Sequence, residues 1–229
     1  MKDILLIIPA FNEEGNIVRV VDELIHNHPD LDYVIVNDGS TDGTSAVCHA
    51  HGYHIVDHPE NRGLAAAFHT GMRYACDHGY AYAVQFDGDG QHRAEFVIPM
   101  RKKAEEGYDI VIASRFVNAK KPLTMRMLGS NLIELAIRMK TGMTIKDPTS
   151  GMRMYNRRLI EKFAGGLNLP PEPGTLVYLV KHENARIAEI PCVMDERISG
   201  ESYLSPAKAA KYMGKVLWTI FCGNTKHSS

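Results

Sequence analysis

The sequence of 229 residues lacks the features that mark several common classes of protein. Its 26 Lys and Arg are balanced by 27 Asp and Glu, so there is no basic excess of the kind that indicates nucleic-acid binding. Its four cysteines form no CxxC pair, and we expect reduced thiols in a cytosolic protein. No apolar run approaches the ~18 residues that a membrane-spanning helix needs. We expect no signal peptide, because Met1-Lys2-Asp3 leads directly into a short apolar run.

The first apolar run, residues 3–8, is also not followed by the loops of two common nucleotide-binding classes. No GxGxxG motif follows Ile8, which disfavours a dinucleotide-binding dehydrogenase. The loop PAFNEE of residues 9–14 stands where nucleotidyltransferases usually carry a Gly-rich, Arg-containing loop. Neither class is favoured.

The first 115 residues alternate between strand and helix patterns. Strands are predicted at residues 3–8, 33–36, 54–56, 82–86 and 109–113. Helices are predicted between them, with Asn12 expected to cap the first, Ser40 or Thr41 the second, and Pro99 a discordant residue inside a helix at 94–106. This rhythm predicts an α/β fold with a mostly parallel central sheet flanked by helices.

After residue 115 the regular alternation of strand and helix patterns ends. We predict a Met/Leu/Ile-rich helix at 125–139, a strand at 186–193 and a tail helix at 207–221 with Lys208, Lys211 and Lys215 on one face. The tail helix fits either a surface helix packed on the domain or a helix lying in a membrane interface. We expect one domain at 1–200 and a C-terminal helix and tail at 201–229 that contacts a membrane or a partner.

The stretch YAVQFDGDGQH, residues 82–92, carries the strongest chemical signal. Its apolar half predicts a buried strand, and the turn Asp87-Gly88-Asp89-Gly90 ends that strand. Ligands bind at the carboxyl ends of strands in open α/β sheets. Two carboxylates at i and i+2 there suit a hard divalent cation such as Mg²⁺ or Mn²⁺.

Three loops that follow early strands should meet at this edge of the sheet. Glu13, Asp38, Asp87 and Asp89 would then surround one crevice. Such an acidic crevice repels a bare diphosphate, but a bound cation reverses the sign and favours a nucleoside diphosphate. Glu13 and Asp38 would be spare acceptors for base and ribose, and the helix that begins at Gly63 would turn its N-terminus toward the nucleotide.

Six motifs in order resemble the family 2 glycosyltransferases of the GT-A (Rossmann-like) nucleotide-diphospho-sugar transferase fold: PAFNEE, VNDGSTDGT, NRGLAAAFHTG, FDGDGQH, ASRF and DPTSGMRMY. A seventh stretch, EIPCVMDERISGES, resembles the family's closing motif. The resemblance is greatest to the dolichol- or polyprenyl-phosphate sugar transferases and covers residues 1–200. Two departures are Met152, where an aromatic residue is common, and the lack of a transmembrane pair.

The resemblance implies a role for each matching residue. The donor-binding residues would be Pro9, Phe11, Glu13, Asp38, Gly63 and Asp87. The metal ligands would be Asp87, Asp89 and Gln91. Arg115, Arg126 and Ser130 would hold an acceptor phosphate, and Asp147 would be the acidic catalytic residue.

The implied activity is an inverting, Mg²⁺- or Mn²⁺-dependent transfer of a hexose or N-acetylhexosamine from a nucleotide sugar, with uridine preferred, to a polyprenyl phosphate. An anionic acceptor would need Asp147 only as an organiser, whereas a sugar hydroxyl would need it as a general base. A transferase that extends a cell-surface polysaccharide and a non-catalytic nucleotide-sugar-binding module are the alternatives.

Location and partners follow from the same resemblance. We expect a cytoplasmic protein that docks peripherally at the inner face of the cell membrane. A separate membrane protein and a second copy of the chain are further candidate partners of the tail helix. The cluster of His49, His51, His54 and His58 has no recognised zinc spacing, and we predict solvent-exposed histidines there.

Overall fold

A computed structural model describes residues 2–122, 124–195 and 206–222. The strands in this part of the chain are β1 (Lys2–Ala10), β2 (Asp32–Asn37), β3 (Ile55–Asp57), β4 (Tyr80–Gln85), β5 (Ile110–Ser114), β6 (Arg153–Asn156) and β7 (Ile187–Pro191). The α-helices are α1 (Ile17–Asn27), α2 (Thr44–Ala50), α3 (Leu64–Asp77), α4 (Val97–Glu105), α5 (Met125–Thr141), α6 (Arg157–Ala164), α7 (Pro173–Glu183) and α8 (Pro206–Cys222).

The strands form one sheet in the order β3-β2-β1-β4-β6-β5-β7. β6 runs antiparallel to both of its neighbours, and the other pairings are parallel. The predicted α/β fold with a mostly parallel sheet is therefore confirmed. Because β6 is reversed, its first residue lies at the carboxyl edge of β4, with Arg153 opposite Gln85.

The core lies on both faces of the sheet. Consecutive residues of β1 alternate between the two faces, and Leu5, Leu6, Ile7 and Ile8 are all fully buried. Leu5 and Ile7 join the cluster formed with α3 and α5 to α8, whereas Leu6 and Ile8 join the cluster formed with α1 and α4. Complete burial of such a side chain contributes about 1.5–3 kcal/mol, so the central strand is a rigid base for the loops at its end.

The tail helix is present as predicted and packs on α5 and α7. Val216 and Ile220 are buried in this contact, while Trp218 and Phe221 on the same helix are exposed. The predicted domain boundary at residue 200 and the RxxGxS part of the closing motif lie outside the described residues, as does the side chain of Lys208.

Both predicted N-caps are wrong because long-range contacts take the side chains. α1 begins at Ile17 rather than beside Asn12, whose backbone has φ 56° and whose side chain accepts a hydrogen bond from Thr41 N–H at 2.9 Å. α2 begins at Thr44. The backbone N–H of Thr44 donates to the side chain of Asp42, and neither Ser40 nor Thr41 accepts it.

Three further expectations need correction. Residues 94–106 divide into a 3₁₀ turn at Ala94–Phe96 and α4, which places Pro99 in the first turn of the helix, where its missing N–H breaks no helical hydrogen bond. The segment 147–156 was predicted only as a motif, yet it supplies a strand in the middle of the sheet. The predicted strand at 186–193 is shorter, Ile187–Pro191.

Candidate active site

A cavity of about 350 Å³ lies at the carboxyl edge of the sheet, where the loops after β1, β2 and β4 meet. The acidic residues Glu13, Asp38, Asp87 and Asp89 all line it, as the sequence predicted. The other lining residues are Pro9, Ala10, Phe11, Asn61, Gly63, Leu64, Ala67 and Gly88. Every residue expected at the donor is therefore placed around this cavity.

Asp38 is buried in the cavity wall and already accepts several hydrogen bonds. The backbone N–H groups of Gly63 and Arg62 donate to it at 2.6 and 3.1 Å, and His58 Nδ1 lies 2.8 Å from Asp38 Oδ1. Asp38 is therefore not the spare acceptor that the sequence suggested. Its carboxylate instead fixes the loop that leads into α3.

The prediction that the four clustered histidines are exposed is wrong for His58. Its side chain is buried, and its other ring nitrogen lies 2.9 Å from Thr70 Oγ1 on α3. His58 thus connects Asp38 to α3. No short-range pattern marks this role, because Asp38 is 20 residues away in the sequence.

Replacing His58 with Ala should loosen the loop at 58–63 and weaken nucleotide binding by about tenfold, because the buried Asp38 loses one of its donors. His58→Asn keeps a donor near Nδ1 and should restore part of the affinity. Calorimetric titration with UDP in the presence of Mn²⁺ measures the change, and the exposed His54→Ala is the control. Equal affinities for wild type and His58→Ala would contradict this role.

The turn after β4 supplies the oxygen donors expected for a metal. The Asp87 carboxylate is about one-third exposed, while the nearby Asp89 is mostly buried and accepts from Gln91 N–H at 3.0 Å. Within the described residues, no group of three His, Cys, Asp or Glu side chains is arranged around a common point. Two carboxylates beside an open cavity fit Mg²⁺ or Mn²⁺, which take their other ligands from water and substrate phosphates.

A second group of polar side chains forms at the same edge around Asp147. Asp147 is 0% exposed, and Arg115 donates to both of its oxygens, from Nε at 2.7 Å and from Nη2 at 2.8 Å. The Arg115 backbone N–H adds a third contact at 3.2 Å. Hydrogen bonding to Asp147 raises the pKa of Arg115, so the guanidinium stays charged.

The loop at 147–152 is held by hydrogen bonds to two charged side chains, Glu189 and the buried Arg153. The N–H groups of Lys146 and Asp147 donate to Glu189 on β7 at 2.7 and 2.8 Å. The fully buried Arg153 donates to the carbonyls of Ser150 and Pro148 at 2.9 and 2.8 Å. These contacts hold the loop that carries Asp147 on several sides, so the position of Asp147 is fixed before any ligand binds.

The remaining acceptor residues lie near the start of α5. Ser130 is buried, and Lys121 Nζ lies 3.3 Å from its Oγ and 2.7 Å from Glu134 on the same helix. Arg115 and Lys121 both contact the ring of Phe116, at 5.2 and 5.7 Å from its centroid. Arg126 belongs to the first turn of α5, and its side chain lies outside the described part of the chain.

The model for Glycosyl transferase family 2 matches residues 5–163, which include the whole cavity and the Arg115–Asp147 pair. The chain belongs to glycosyltransferase family 2. This assignment confirms the resemblance and makes the protein a glycosyltransferase. Its fold is the GT-A fold.

Curated relatives of this glycosyltransferase include enzymes named for polyprenyl-phosphate acceptors. It is 29% identical to the polyprenol monophosphomannose synthase of Mycolicibacterium smegmatis, over 94% of this chain and 86% of the relative. It is 31% identical to the UDP-N-acetylglucosamine–dolichyl-phosphate N-acetylglucosaminyltransferase of Methanococcus voltae, over 70% of this chain and 72% of the relative.

A solved structure supports the fold. The glucosyl-3-phosphoglycerate synthase of Mycobacterium tuberculosis, in complex with Mn²⁺, UDP and phosphoglyceric acid, matches with a TM-score of 0.70 at 20% identity. The match covers 100% of this chain and 80% of that one. At this identity the likeness is one of fold.

Four residues of the site were not identified from the sequence: His58, His92, Arg153 and Glu189. Each acts through a contact with the backbone or a carboxylate of another residue, and the separation in sequence is 3 residues between Arg153 and Ser150 but 42 between Glu189 and Asp147. The only sequence signal for His92 and Arg153 is their place within the motifs FDGDGQH and DPTSGMRMY, where neither was given a role.

Proposed function

We propose that this glycosyltransferase moves a hexose or N-acetylhexosamine from a nucleotide sugar to a polyprenyl phosphate, with inversion and with a divalent cation. The observation that supports the proposal best is the short distance between the donor carboxylates and the loop that carries Asp147. A Cβ added to Gly151, in the Asp147 loop, would lie 2.8 Å from Asp87 Oδ2. The donor carboxylates and the Arg115–Asp147 pair therefore border one reaction space.

The donor half binds the nucleotide and its cation. Asp87, Asp89 and Gln91 would hold Mg²⁺ or Mn²⁺, which neutralises charge on the departing nucleoside diphosphate. The chain's own contribution is to position these groups on the rigid end of β4 and to close the cavity with the loop at 58–63. Pro9, Phe11, Glu13 and Asp38 form the wall against which base and ribose would lie.

The acceptor half favours an anionic acceptor over a sugar hydroxyl. A general base must present a free oxygen to the proton that it takes, but both oxygens of Asp147 already accept hydrogen bonds from Arg115. A phosphate monoester is already an anion and needs only positioning and charge neutralisation. We assign Asp147 as the organiser of Arg115, with Arg126 and Ser130 as the further acceptor residues.

Thermal unfolding tests the donor half directly. UDP, GDP, dTDP and CDP are each added with and without Mn²⁺, because a ligand that binds only the native state stabilises it by about 2.7 kcal/mol at a hundredfold excess over Kd. We expect UDP with Mn²⁺ to give the largest rise in melting temperature. No rise with any nucleotide would contradict the donor assignment and favour a different role for the cavity.

An exposed apolar surface suggests how the enzyme reaches a lipid acceptor. Four large side chains of α5 lie on one helical face, at i, i+4, i+7 and i+11: Leu128, Leu132, Leu135 and Met139. On α8, which packs on α5, Trp218 is 65% exposed and Phe221 is also exposed, as are Lys211 and Lys215, the latter 3.5 Å from Glu172 of the α7 N-cap. No acidic side chain of the described part of α5 or α8 shares this surface except the half-buried Glu134, which pairs with Lys121.

We assign this α5–α8 surface to an anionic membrane. Exposed Trp and Lys beside an apolar stripe are typical of helices that lie in the headgroup region, and cationic residues match anionic lipid. No helix in the described residues is long and apolar enough to cross a bilayer. The surface begins at α5, the helix that also carries Ser130, so docking would bring the acceptor side of the site to the lipid.

Replacing Leu132 and Leu135 together with Glu should reduce binding to vesicles that contain phosphatidylglycerol by about tenfold or more, because burial of two exposed leucine side chains in the lipid would contribute a few kcal/mol. Co-sedimentation with these vesicles and with neutral phosphatidylcholine vesicles measures the change. Ile98→Glu, at an exposed isoleucine of α4, is the control. A change of oligomeric state without loss of vesicle binding would assign the surface to a second copy of the chain.

A further inference from the structure

His92 is a buried histidine whose two ring nitrogens both face Asp87. Its side chain is only 2% exposed, and its ring packs against Phe86 with the centroids 5.6 Å apart. The backbone N–H of Asp87 donates to His92 Nδ1 at 2.8 Å. The ring is therefore fixed relative to the metal-binding turn by both packing and a hydrogen bond.

This hydrogen bond assigns the tautomer of His92. Because Nδ1 accepts from a backbone N–H, the ring proton is on Nε2. Nε2 lies 3.4 Å from Asp87 Oδ2, a close contact between the ring and the carboxylate that falls outside ordinary hydrogen-bond geometry. Small movement of the carboxylate would shorten this contact.

Gly151 limits the carboxylate on another side. A Cβ added there would lie 2.8 Å from Asp87 Oδ2 and 3.3 Å from His92 Cε1. A side chain at this position would collide with the carboxylate. The Asp87 carboxylate is thus seated between the His92 ring and the backbone of the Asp147 loop.

We propose that His92 is a positioning residue that fixes the Asp87 carboxylate and thereby sets the affinity of the site for its divalent cation. Groups that orient a ligating carboxylate typically change metal affinity by 10- to 100-fold when they are removed. The proposal rests on the proposed function, since it takes Asp87 as a metal ligand. The proposal gives His92, which is not itself a metal ligand, control of the position of the Asp87 carboxylate.

Two substitutions separate the contacts of His92. His92→Asn keeps an acceptor near Nδ1 for the Asp87 N–H but loses the donor at Nε2, whereas His92→Gln places an amide N–H near Nε2. We expect His92→Asn to weaken Mn²⁺ binding in the presence of UDP by about tenfold. His92→Gln should lose less of the affinity for Mn²⁺ than His92→Asn does. Electron paramagnetic resonance of free Mn²⁺ measures the affinity, and thermal unfolding in EDTA measures stability apart from the metal.

Gly151→Ala tests the same placement of the Asp87 carboxylate without changing His92, so it remains informative if a His92 variant folds poorly. It should also weaken Mn²⁺ binding, and Gly214→Ala, where an added Cβ meets nothing within 4 Å, should not. Wild-type affinity for Mn²⁺ in His92→Asn, or in Gly151→Ala, would overturn the proposal. Failure of the wild-type protein to bind Mn²⁺ with UDP would instead overturn the proposed function.

Discussion

Replacing Asp89 with Ala is expected to lower the rate of sugar transfer by about three orders of magnitude. Asp89 is mostly buried at the end of β4 and lines the cavity beside Asp87. Its removal would leave the cation with one carboxylate, and charge stabilisation by a bound metal is worth several kcal/mol in the transition state. A loss of about 4 kcal/mol corresponds to that change in rate.

The measurement is the transfer of labelled sugar at several Mn²⁺ concentrations. Asp89→Ala should also abolish the rise in melting temperature that UDP and Mn²⁺ produce together, while its own melting temperature in EDTA stays close to that of wild type. Asp30→Ala removes an exposed carboxylate far from the cavity and is the control. Wild-type activity of Asp89→Ala in Mn²⁺ would remove this turn from the mechanism.

Replacing Asp147 with Ala is expected both to destabilise the protein and to stop transfer. The change leaves Arg115, which is about three-quarters buried, without its bidentate partner. Loss of one member of a buried ion pair typically costs about 3–5 kcal/mol, because the other charge stays buried and unpaired. A residue that served only as a general base would be replaced with little change in the free energy of unfolding.

A double-mutant cycle distinguishes these two roles. If Asp147 organises Arg115, the free energies of unfolding of Asp147→Ala and Arg115→Ala should not add, and Arg115→Ala/Asp147→Ala should be more stable than their sum predicts. Urea unfolding measures all four proteins. Additive effects, together with a normal melting temperature for Asp147→Ala, would indicate a free carboxylate and therefore a base.

The position of the donor site was predictable from the sequence because it depends on sheet topology. The apolar runs define parallel strands, and the rule that ligands bind at their carboxyl ends brings Glu13, Asp38, Asp87 and Asp89 together. These four residues do line one cavity. The unbroken apolar run of β1 also made it predictable that this strand is buried on both faces. The buried residues are Leu5, Leu6, Ile7 and Ile8.

The supporting contacts were not predictable, since they join residues that are distant in the sequence. The pairing of Asn12 with Thr41 removes the expected cap, and that of Asp38 with His58 buries a histidine that local composition marks as exposed. The reversed strand β6 is only four residues long, with Arg153 and Asn156 at its ends, and nothing in its residues gives its direction. Its direction is what brings Gly151 to Asp87.

The most direct test of the account is transfer from UDP-glucose, UDP-N-acetylglucosamine and GDP-mannose to a polyprenyl phosphate, with Mn²⁺ and with EDTA. We expect labelled sugar in the lipid extract, dependent on the cation, and with its anomeric configuration inverted. Label that enters only a sugar acceptor, or only free sugar released by hydrolysis, would contradict the polyprenyl-phosphate assignment.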